Sequence, residues 1–212
     1  MEVNKWIIMA IGAIAQLLFS SRLIVQWISS EKSKKVLTPV LFWELSLLAS
    51  FLLFCYGYLR DDFAIMLGQT LTYYIYIRNM SLQGEWKKIH RLMRLFIILF
   101  PVLLIVYGYN NNIYDLEKLF ASAHIPRPLL LLGISSQTLF TCRFIYQWLY
   151  SESKKESLLP LGFWAISLAG SLLILLYAIL REDVVLFCGH LLGSVVYSRN
   201  IILLRKNREQ EG

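Results

Sequence analysis

The sequence has little of what soluble enzymes usually carry. Only 17% of its 212 residues are charged and 57% are hydrophobic, whereas a soluble domain has about a quarter charged residues. None of its three cysteines is spaced as part of a metal-binding pair. It has no Ser-His-Asp set, no carboxylate pair in a shared site and no glycine-rich phosphate loop. These absences argue against an enzyme and against a metal or other cofactor, and they favour an integral membrane protein.

The hydrophobic residues are concentrated in seven runs, each close to the roughly 17–25 residues that cross a bilayer as a helix. The predicted transmembrane helices are Trp6–Ile28, Val40–Leu59, Phe63–Ile77, Leu92–Tyr109, Leu129–Tyr150, Leu161–Leu180 and Val184–Leu204. The third and fourth runs carry the weakest signal, the fourth because Pro101 interrupts a short apolar stretch. The first run lacks a small-residue cleavage site and contains Arg22, so it is predicted to be a membrane helix rather than a signal peptide.

The two halves of the chain repeat each other. Residues 12–79 align with residues 133–200 at a constant shift of 121 without a gap, and 28 of the 68 pairs are identical. The shared positions include polar residues and tryptophans, which chance similarity between apolar runs does not produce. The sequence therefore predicts a tandem duplication, a common construction among transporters.

The distribution of positive charge predicts the orientation in the membrane. Of the 21 Lys and Arg residues, 14 lie in the loops and the tail on one side, five lie on the other side, and two lie within helices. The positive-inside rule then places the N-terminus outside and the C-terminus in the cytoplasm. Because the basic residues are scattered over short loops, nucleic acid is not an expected partner.

Each repeat contributes three predicted helices, and the unmatched fourth helix gives the two repeats the same orientation. The predicted fold is all-α and integral to the membrane, with seven transmembrane helices in a 3+1+3 arrangement: two parallel three-helix bundles joined by a linker helix. The predicted segments are a first repeat at 1–80, a linker with the fourth helix at 81–128, a second repeat at 129–206 and a cytoplasmic tail at 207–212.

Two arginines, Arg22 and Arg143, lie inside predicted membrane helices. One interpretation is that each long side chain reaches the headgroups while its stem stays apolar. The other is an anion site, because a guanidinium binds phosphate or carboxylate through two hydrogen bonds. Gln26 and Gln147 follow the arginines by four residues and share a helix face with them. This spacing favours a polar stripe that faces the bundle.

A second polar stripe is predicted on helices three and seven. It runs from Gln69 to Tyr76 on helix three and from His190 to Tyr197 on helix seven. Such a row either lines a path or forms hydrogen bonds between helices. His190 is the only histidine within a membrane run and can titrate. Since its counterpart is Gln69, a structural histidine is the simpler interpretation.

Each repeat resembles the lipid A biosynthesis N-terminal domain, a small membrane domain found ahead of some lipid-A-disaccharide synthases and also alone. The resemblance is carried by rare polar and aromatic positions that both repeats share. In the first repeat they are Gln16, Phe19, Arg22, Gln26, Trp27, Ser30, Glu31, Pro39, Phe42, Trp43, Ser46, Tyr56, Asp62, Gly68, Tyr76, Arg78 and Asn79. The second repeat has the same residue types 121 positions later.

The resemblance implies a fold and a function. The domain is similar to the PQ-loop/SWEET group of three-helix-bundle transporters, although the Pro-Gln dipeptide is absent because Pro39 precedes Val40 and Pro160 precedes Leu161. The glycosyltransferase part of the synthases lies outside the resemblance, so their activity is not implied. Relatives of the domain are linked to envelope glycolipids, including polyprenyl-phosphate sugars.

The leading hypothesis is a transporter, or flippase, of the bacterial inner membrane that moves a polyprenyl-phosphate monosaccharide or a related envelope glycolipid. Two alternatives are a SWEET-type carrier of small solutes and a non-transporting accessory subunit of lipid A or envelope glycosyltransferases. The expected partners are a membrane lipid or lipid-linked sugar and, in the last case, a glycosyltransferase. The candidate substrate-binding residues are Arg22, Gln26, Arg143, Gln147, Trp43, Trp164, Gln69, His190, Tyr76, Tyr197, Asn79 and Asn200.

Overall fold

The computed structural model describes residues 5–59, 63–110, 127–180, 182 and 184–211. These residues form seven α-helices and one short 3₁₀ helix, and they contain no β-strand. The α-helices are α1 (Lys5–Ser33), α2 (Val40–Leu59), α3 (Phe63–Leu82), α4 (Arg91–Asn110), α5 (Arg127–Lys154), α6 (Leu161–Leu180) and α7 (Val184–Glu211). The 3₁₀ helix Glu85–Lys88 lies between α3 and α4. The all-helical prediction is confirmed, and each helix contains one of the predicted apolar runs.

Among the described residues, four helices are long and apolar enough to cross a membrane. They are α1, α2, α6 and the Phe187–Asn207 part of α7. By the same criteria of length and composition, α3, α4 and α5 are not in this group. Large apolar side chains such as Trp6 and Leu92 are 75% and 70% exposed, as expected for a surface that faces lipid rather than water. The chain is therefore a membrane-type helical protein.

The described helices group into two compact units. The first combines α1 up to Arg22 with α2 from Trp43 onward, α3 and α4. The second combines the segment Leu23–Phe42 with α5, α6 and α7. The last part of α1 therefore belongs to the unit that contains the second repeat.

The turns that end α1 and α5 have matching geometry. Lys34 has a φ of 56° and its counterpart Lys155 has a φ of 57°, a left-handed conformation that closes the helix ends. The next helix begins after a proline in both repeats, and the Phe42 and Phe163 amides donate to the Pro39 and Pro160 carbonyls at 3.0 Å. These repeated details agree with the predicted duplication.

Helix α4, which the sequence predicts to be a linker, packs in the first unit. The Phe100 ring lies 4.6 Å from the Phe51 ring, centre to centre. The Tyr73 hydroxyl donates to the Ile97 carbonyl at 3.0 Å. The rest of the predicted linker, residues 111–126, and residues 60–62, 181 and 183 lie outside the described residues.

Candidate functional site

Arg22 is buried among three helices of the first unit. It is 6% exposed, and its Nη1 donates to Ser46 Oγ of α2 at 2.8 Å and to the Tyr76 hydroxyl of α3 at 3.1 Å. The guanidinium carbon lies 4.6 Å from the centre of the Phe19 ring and 5.5 Å from that of Tyr76. Hydroxyl acceptors and aromatic faces both favour a cation. The side chain thus turns into its unit rather than toward the surface.

Arg143 is buried in the second unit among aromatic rings. It is 5% exposed. Its guanidinium carbon lies 3.2 Å from the centre of the Phe140 ring, 4.5 Å from Phe144 and 6.0 Å from Phe163. Ser167, the counterpart of Ser46, donates to the Phe163 carbonyl at 2.6 Å. The two arginines therefore occupy equivalent positions, each against an equivalent phenylalanine, Phe19 or Phe140.

A tryptophan and a tyrosine pack together near each arginine. The ring centres of Trp43 and Tyr76 are 5.9 Å apart, and those of Trp164 and Tyr197 are 6.0 Å apart. Both pairs are tilted by 38°. Both tryptophans are 0% exposed, so they are part of the core of their units in this structure.

Gln26 and Asn200 form a reciprocal pair of buried amides in the second unit. Gln26 Nε2 donates to Asn200 Oδ1 at 2.9 Å, and Asn200 Nδ2 donates to Gln26 Oε1 at 3.1 Å. Gln26 Nε2 also donates to Ser30 Oγ at 2.9 Å and lies 3.3 Å from the Leu37 carbonyl. Because a primary amide has two N–H donors, both donors of Gln26 are engaged within the protein. Both residues are 0% exposed.

Gln147 repeats the local part of this network. Its Nε2 donates to Ser151 Oγ at 2.8 Å and to the Leu158 carbonyl at 2.9 Å, and these partners are the counterparts of Ser30 and Leu37. Asn79, the counterpart of Asn200, is also 0% exposed, and its Nδ2 donates to the Ile75 carbonyl of its own helix at 2.9 Å. The shared glutamine and asparagine positions are thus buried in both repeats.

Glu31 forms a two-point ion pair with Arg199. Arg199 donates through Nε to Glu31 Oε1 and through Nη2 to Glu31 Oε2, the latter at 2.9 Å. Trp27 Nε1 also donates to Glu31 Oε1 at 3.3 Å, and Lys34 Nζ lies 3.8 Å from Glu31 Oε2. The sequence alone does not predict this pair with Arg199, although both residues are shared by the two repeats.

His190 belongs to a small polar cluster in the second unit. Its Nδ1 lies 3.1 Å from Ser171 Oγ, and Ser194 Oγ donates to Ser171 Oγ at 3.1 Å. The His190 ring centre is 5.0 Å from that of Phe140. In the first unit, Ser50 Oγ donates to Gln69 Oε1 at 3.0 Å. The predicted second stripe therefore forms hydrogen bonds between neighbouring helices in both units.

The twelve candidate residues belong to two sets. The first unit contains Arg22, Trp43, Gln69, Tyr76 and Asn79, and the second unit contains Gln26, Arg143, Gln147, Trp164, His190, Tyr197 and Asn200. In the described residues, no group of three or more His, Cys, Asp or Glu side chains could hold a metal ion. That any of the twelve binds a substrate stays a prediction.

The fold and the two buried arginines define a helical membrane protein whose sequence contains two copies of one repeat. The lipid A biosynthesis N-terminal domain matches the chain twice, at residues 11–81 and 132–202. The two matches cover more than half of the chain, which therefore belongs to this family. The predicted resemblance and the tandem duplication are confirmed. No solved structure matches the chain.

Curated relatives carry the name lipid-A-disaccharide synthase. The protein of Chlamydia caviae is 28% identical over 208 residues, which cover 93% of this chain and 33% of the relative. The protein of Chlamydia pneumoniae is 30% identical over 186 residues, which cover 84% of this chain and 30% of the relative. The chain thus spans about a third of the length of the curated relatives it matches. These names link the family to lipid A and the bacterial envelope.

Proposed function

We propose that the protein is a transporter of the bacterial inner membrane that moves a lipid-linked sugar between leaflets. The substrate class is a polyprenyl-phosphate monosaccharide or a related envelope glycolipid, which has an apolar tail, a phosphate and a sugar. The protein transports without catalysing a covalent reaction of its own. In each unit the buried arginine, Arg22 or Arg143, binds a phosphate headgroup, and the neighbouring Trp43–Tyr76 or Trp164–Tyr197 pair contacts the sugar.

The observation that carries this proposal is the burial of one arginine in each unit, 6% exposed for Arg22 and 5% for Arg143. A cation inside a membrane bundle is energetically expensive and marks a functional position. The hydroxyls and rings around Arg22 orient its guanidinium, and because they are neutral they do not cancel its positive charge. A phosphodiester is an anion that such a group binds through two hydrogen bonds. Because both arginines are enclosed, the headgroup enters when helices separate during alternating access.

The proposal includes a topology. In it, α3, α4 and α5 also cross the membrane, and the chain has the 3+1+3 layout of the PQ-loop/SWEET group. The N-terminus then lies outside and the C-terminus in the cytoplasm. Cysteine-labelling from either side of the membrane, at sites introduced before α1 and after α7, tests this orientation. Labelling of both sites from the same side would contradict seven crossings.

Binding of a polyprenyl-phosphate-linked glucose to the purified protein in nanodiscs tests the function. Arg22→Ala and Arg143→Ala should each weaken binding by at least about tenfold, since hydrogen bonds to charged groups contribute about 1.5–3 kcal/mol. The matched control is Arg205→Ala, because Arg205 is exposed near the end of α7. It should bind like the unchanged protein.

Transfer of the same lipid across liposomes that contain the protein then tests transport itself. Loss of transfer in Arg22→Ala, with transfer retained in Arg205→Ala, supports the proposal. A well-folded protein that binds no lipid-linked sugar would overturn it. Uptake of water-soluble sugars by such a protein would point to the SWEET-type carrier instead.

A second candidate function is favoured by the relatives' name. The chain spans about a third of proteins named lipid-A-disaccharide synthase, so a membrane subunit that supports such a glycosyltransferase is the alternative. It predicts copurification with a synthase and a change in synthase activity when the chain is removed. It also predicts no transfer of lipid-linked sugar by the purified chain in liposomes.

A further inference from the structure

We infer that the second unit takes up a proton together with its anionic headgroup, and that His190 accepts this proton. The inference rests on the proposed function and concerns the same site. It assigns different tasks to the two repeats: the first repeat binds only the anion, whereas the second repeat links anion binding to protonation.

Phe140 connects the two groups. The guanidinium carbon of Arg143 lies 3.2 Å from the centre of the Phe140 ring, and the His190 ring centre lies 5.0 Å from the same point. The imidazole and the guanidinium therefore contact the same side chain. An imidazolium at this position adds a second positive charge close to Arg143, and an anion bound at Arg143 interacts favourably with both.

The serines around His190 are arranged to orient the imidazole. Ser171 Oγ lies 3.1 Å from Nδ1 of His190 and donates to the His190 carbonyl at 3.0 Å. Ser194 Oγ donates to the same carbonyl at 2.8 Å and to Ser171 Oγ at 3.1 Å. Because Ser171 donates to the carbonyl, its oxygen can accept the Nδ1 proton of His190. The other ring nitrogen, Nε2, is then the position at which the imidazole gains a proton.

The first unit has an equivalent serine but no titratable imidazole. Gln69 stands at the position of His190, and Ser50, the counterpart of Ser171, donates to its Oε1 at 3.0 Å. An amide fills the site and accepts the hydrogen bond but does not titrate between about pH 5 and 8, where histidine does. Tyr73, the counterpart of Ser194, donates instead to the Ile97 carbonyl. The difference between Gln69 and His190 locates the proposed proton site in the second repeat.

Few other charges face His190 among the described residues. From α5 the facing charged group is Arg143, through Phe140. Helix α6 carries no Lys, Arg, His, Asp or Glu, and its titratable residue Tyr177 lies beside the Gly133 backbone. On α7, Cys188 is exposed. The next charged residue toward its C-terminus, Arg199, is nine residues away, about 13 Å along the helix. In the other direction, the described carboxylate Glu182 lies eight residues before His190, and the ring of the titratable Tyr197 lies 6.3 Å from that of Phe140. Among the described residues, Arg143 is therefore the charged group that contacts the same side chain as His190.

The sign of the coupling follows from this arrangement. Without an anion, the guanidinium of Arg143 disfavours a proton on His190, because the two charges are alike. A bound phosphodiester removes that penalty, so binding draws a proton onto the imidazole. By reciprocity, protonation of His190 strengthens anion binding. Affinity should thus rise as the pH falls.

Binding of polyprenyl-phosphate-linked glucose in nanodiscs, measured by calorimetry from about pH 8 to about pH 5, tests the inference. This probe is a phosphodiester, which keeps one negative charge over the range, so its own titration does not contribute. Affinity should rise by at least about fivefold toward low pH. Heats measured in two buffers of different ionisation enthalpy should show net proton uptake on binding.

His190→Gln is the decisive variant. It installs the residue that the first repeat has at the equivalent position. Because Gln69 pairs with a serine there, as His190 does in the second repeat, we expect the variant to fold. It should bind at high pH like the unchanged protein and lose both the rise in affinity and the proton uptake. The matched control is His90→Gln, because His90 is exposed and lies between the 3₁₀ helix and α4. It should keep the full pH dependence.

The outcomes separate the inference from the function on which it rests. Binding that is independent of pH, without proton uptake in the unchanged protein, overturns the inference and leaves the proposed function standing. Proton uptake that persists in His190→Gln also overturns it. No binding at any pH overturns both. If the variant is unstable, absence of proton uptake by the unchanged protein still overturns the inference.

Discussion

The Tyr73 hydroxyl donates a hydrogen bond to the Ile97 carbonyl, 3.0 Å away, where α3 packs against α4. Ile97 lies four residues before Pro101, which has no N–H to donate to that carbonyl. A proline inside a membrane helix is tolerated where a neighbouring helix satisfies the freed carbonyl. Tyr73 satisfies the Ile97 carbonyl here. Ser194, the counterpart of Tyr73 in the second repeat, instead donates to the His190 carbonyl of its own helix.

Tyr73→Phe should therefore weaken the packing of α4 against α3. It removes the hydroxyl that pairs with the Ile97 carbonyl, and a buried acceptor left unsatisfied costs about 1–3 kcal/mol. The measurement is the free energy of unfolding in mixed micelles titrated with a denaturing detergent. In the Pro101→Ala background the same substitution should cost less, because an alanine at that position supplies the helical N–H that the proline lacks.

Tyr74→Phe is the control for that experiment. The Tyr74 hydroxyl donates to the Ile98 carbonyl at 2.8 Å, but this carbonyl lies four residues before Val102, which has an N–H. Loss of the Tyr74 hydroxyl should thus destabilise the protein less than loss of the Tyr73 hydroxyl. Equal losses from the two tyrosines would argue against a special role for the carbonyl freed by Pro101.

The buried amides of Gln26 and Asn200 should be energetically coupled. Gln26→Leu and Asn200→Leu each leave one buried amide without its partner, so each should lower the free energy of unfolding by about 1–3 kcal/mol. The double variant should lose less than the sum, with a coupling energy of about 0.5–3 kcal/mol. Additive losses would mean that the amide pair contributes no specific interaction.

The ion pair between Glu31 and Arg199 should contribute little to stability, because its side chains are 29% and 38% exposed and salt screens exposed pairs. Glu31→Gln should lower the unfolding temperature slightly at low salt and leave it unchanged at high salt. The exchange Glu31→Arg with Arg199→Glu should recover the loss. A large loss that salt does not reduce would contradict this view.

Gly170 should be sensitive to the smallest substitution. A Cβ at Gly170 would lie 3.1 Å from the Phe140 backbone and from its Cβ, and added bulk in a packed core costs about 1–3 kcal/mol. Gly170→Ala should therefore destabilise the protein and weaken headgroup binding, because Phe140 positions Arg143. The control is Gly189→Ala, since a Cβ at Gly189 meets nothing within 4 Å. It should be neutral or stabilising through higher helix propensity.

Much of the local structure follows from the sequence. The apolar runs Val40–Leu59 and Leu161–Leu180 have the same bounds as α2 and α6, because each run begins after a proline and ends before an arginine. The repeat register also anticipates the paired networks of Gln26 and Gln147, since their partners Ser30 and Ser151 lie one turn further along the same helix. Hydrogen bonds at that spacing depend on helical geometry alone.

The partners of the polar residues depend on the packing of helices. Arg22 and Gln26 share one stripe on α1, yet Arg22 bonds to Ser46 and Tyr76 in the first unit, whereas Gln26 bonds to Asn200, 174 residues away, in the second. Periodicity identifies the face of a helix that turns inward, but it carries no information about which helix lies opposite. A buried polar group must find its partner wherever packing places one. The helices, their repeat and the polar positions can thus be read from the sequence, whereas the packing of the helices specifies which of those positions meet.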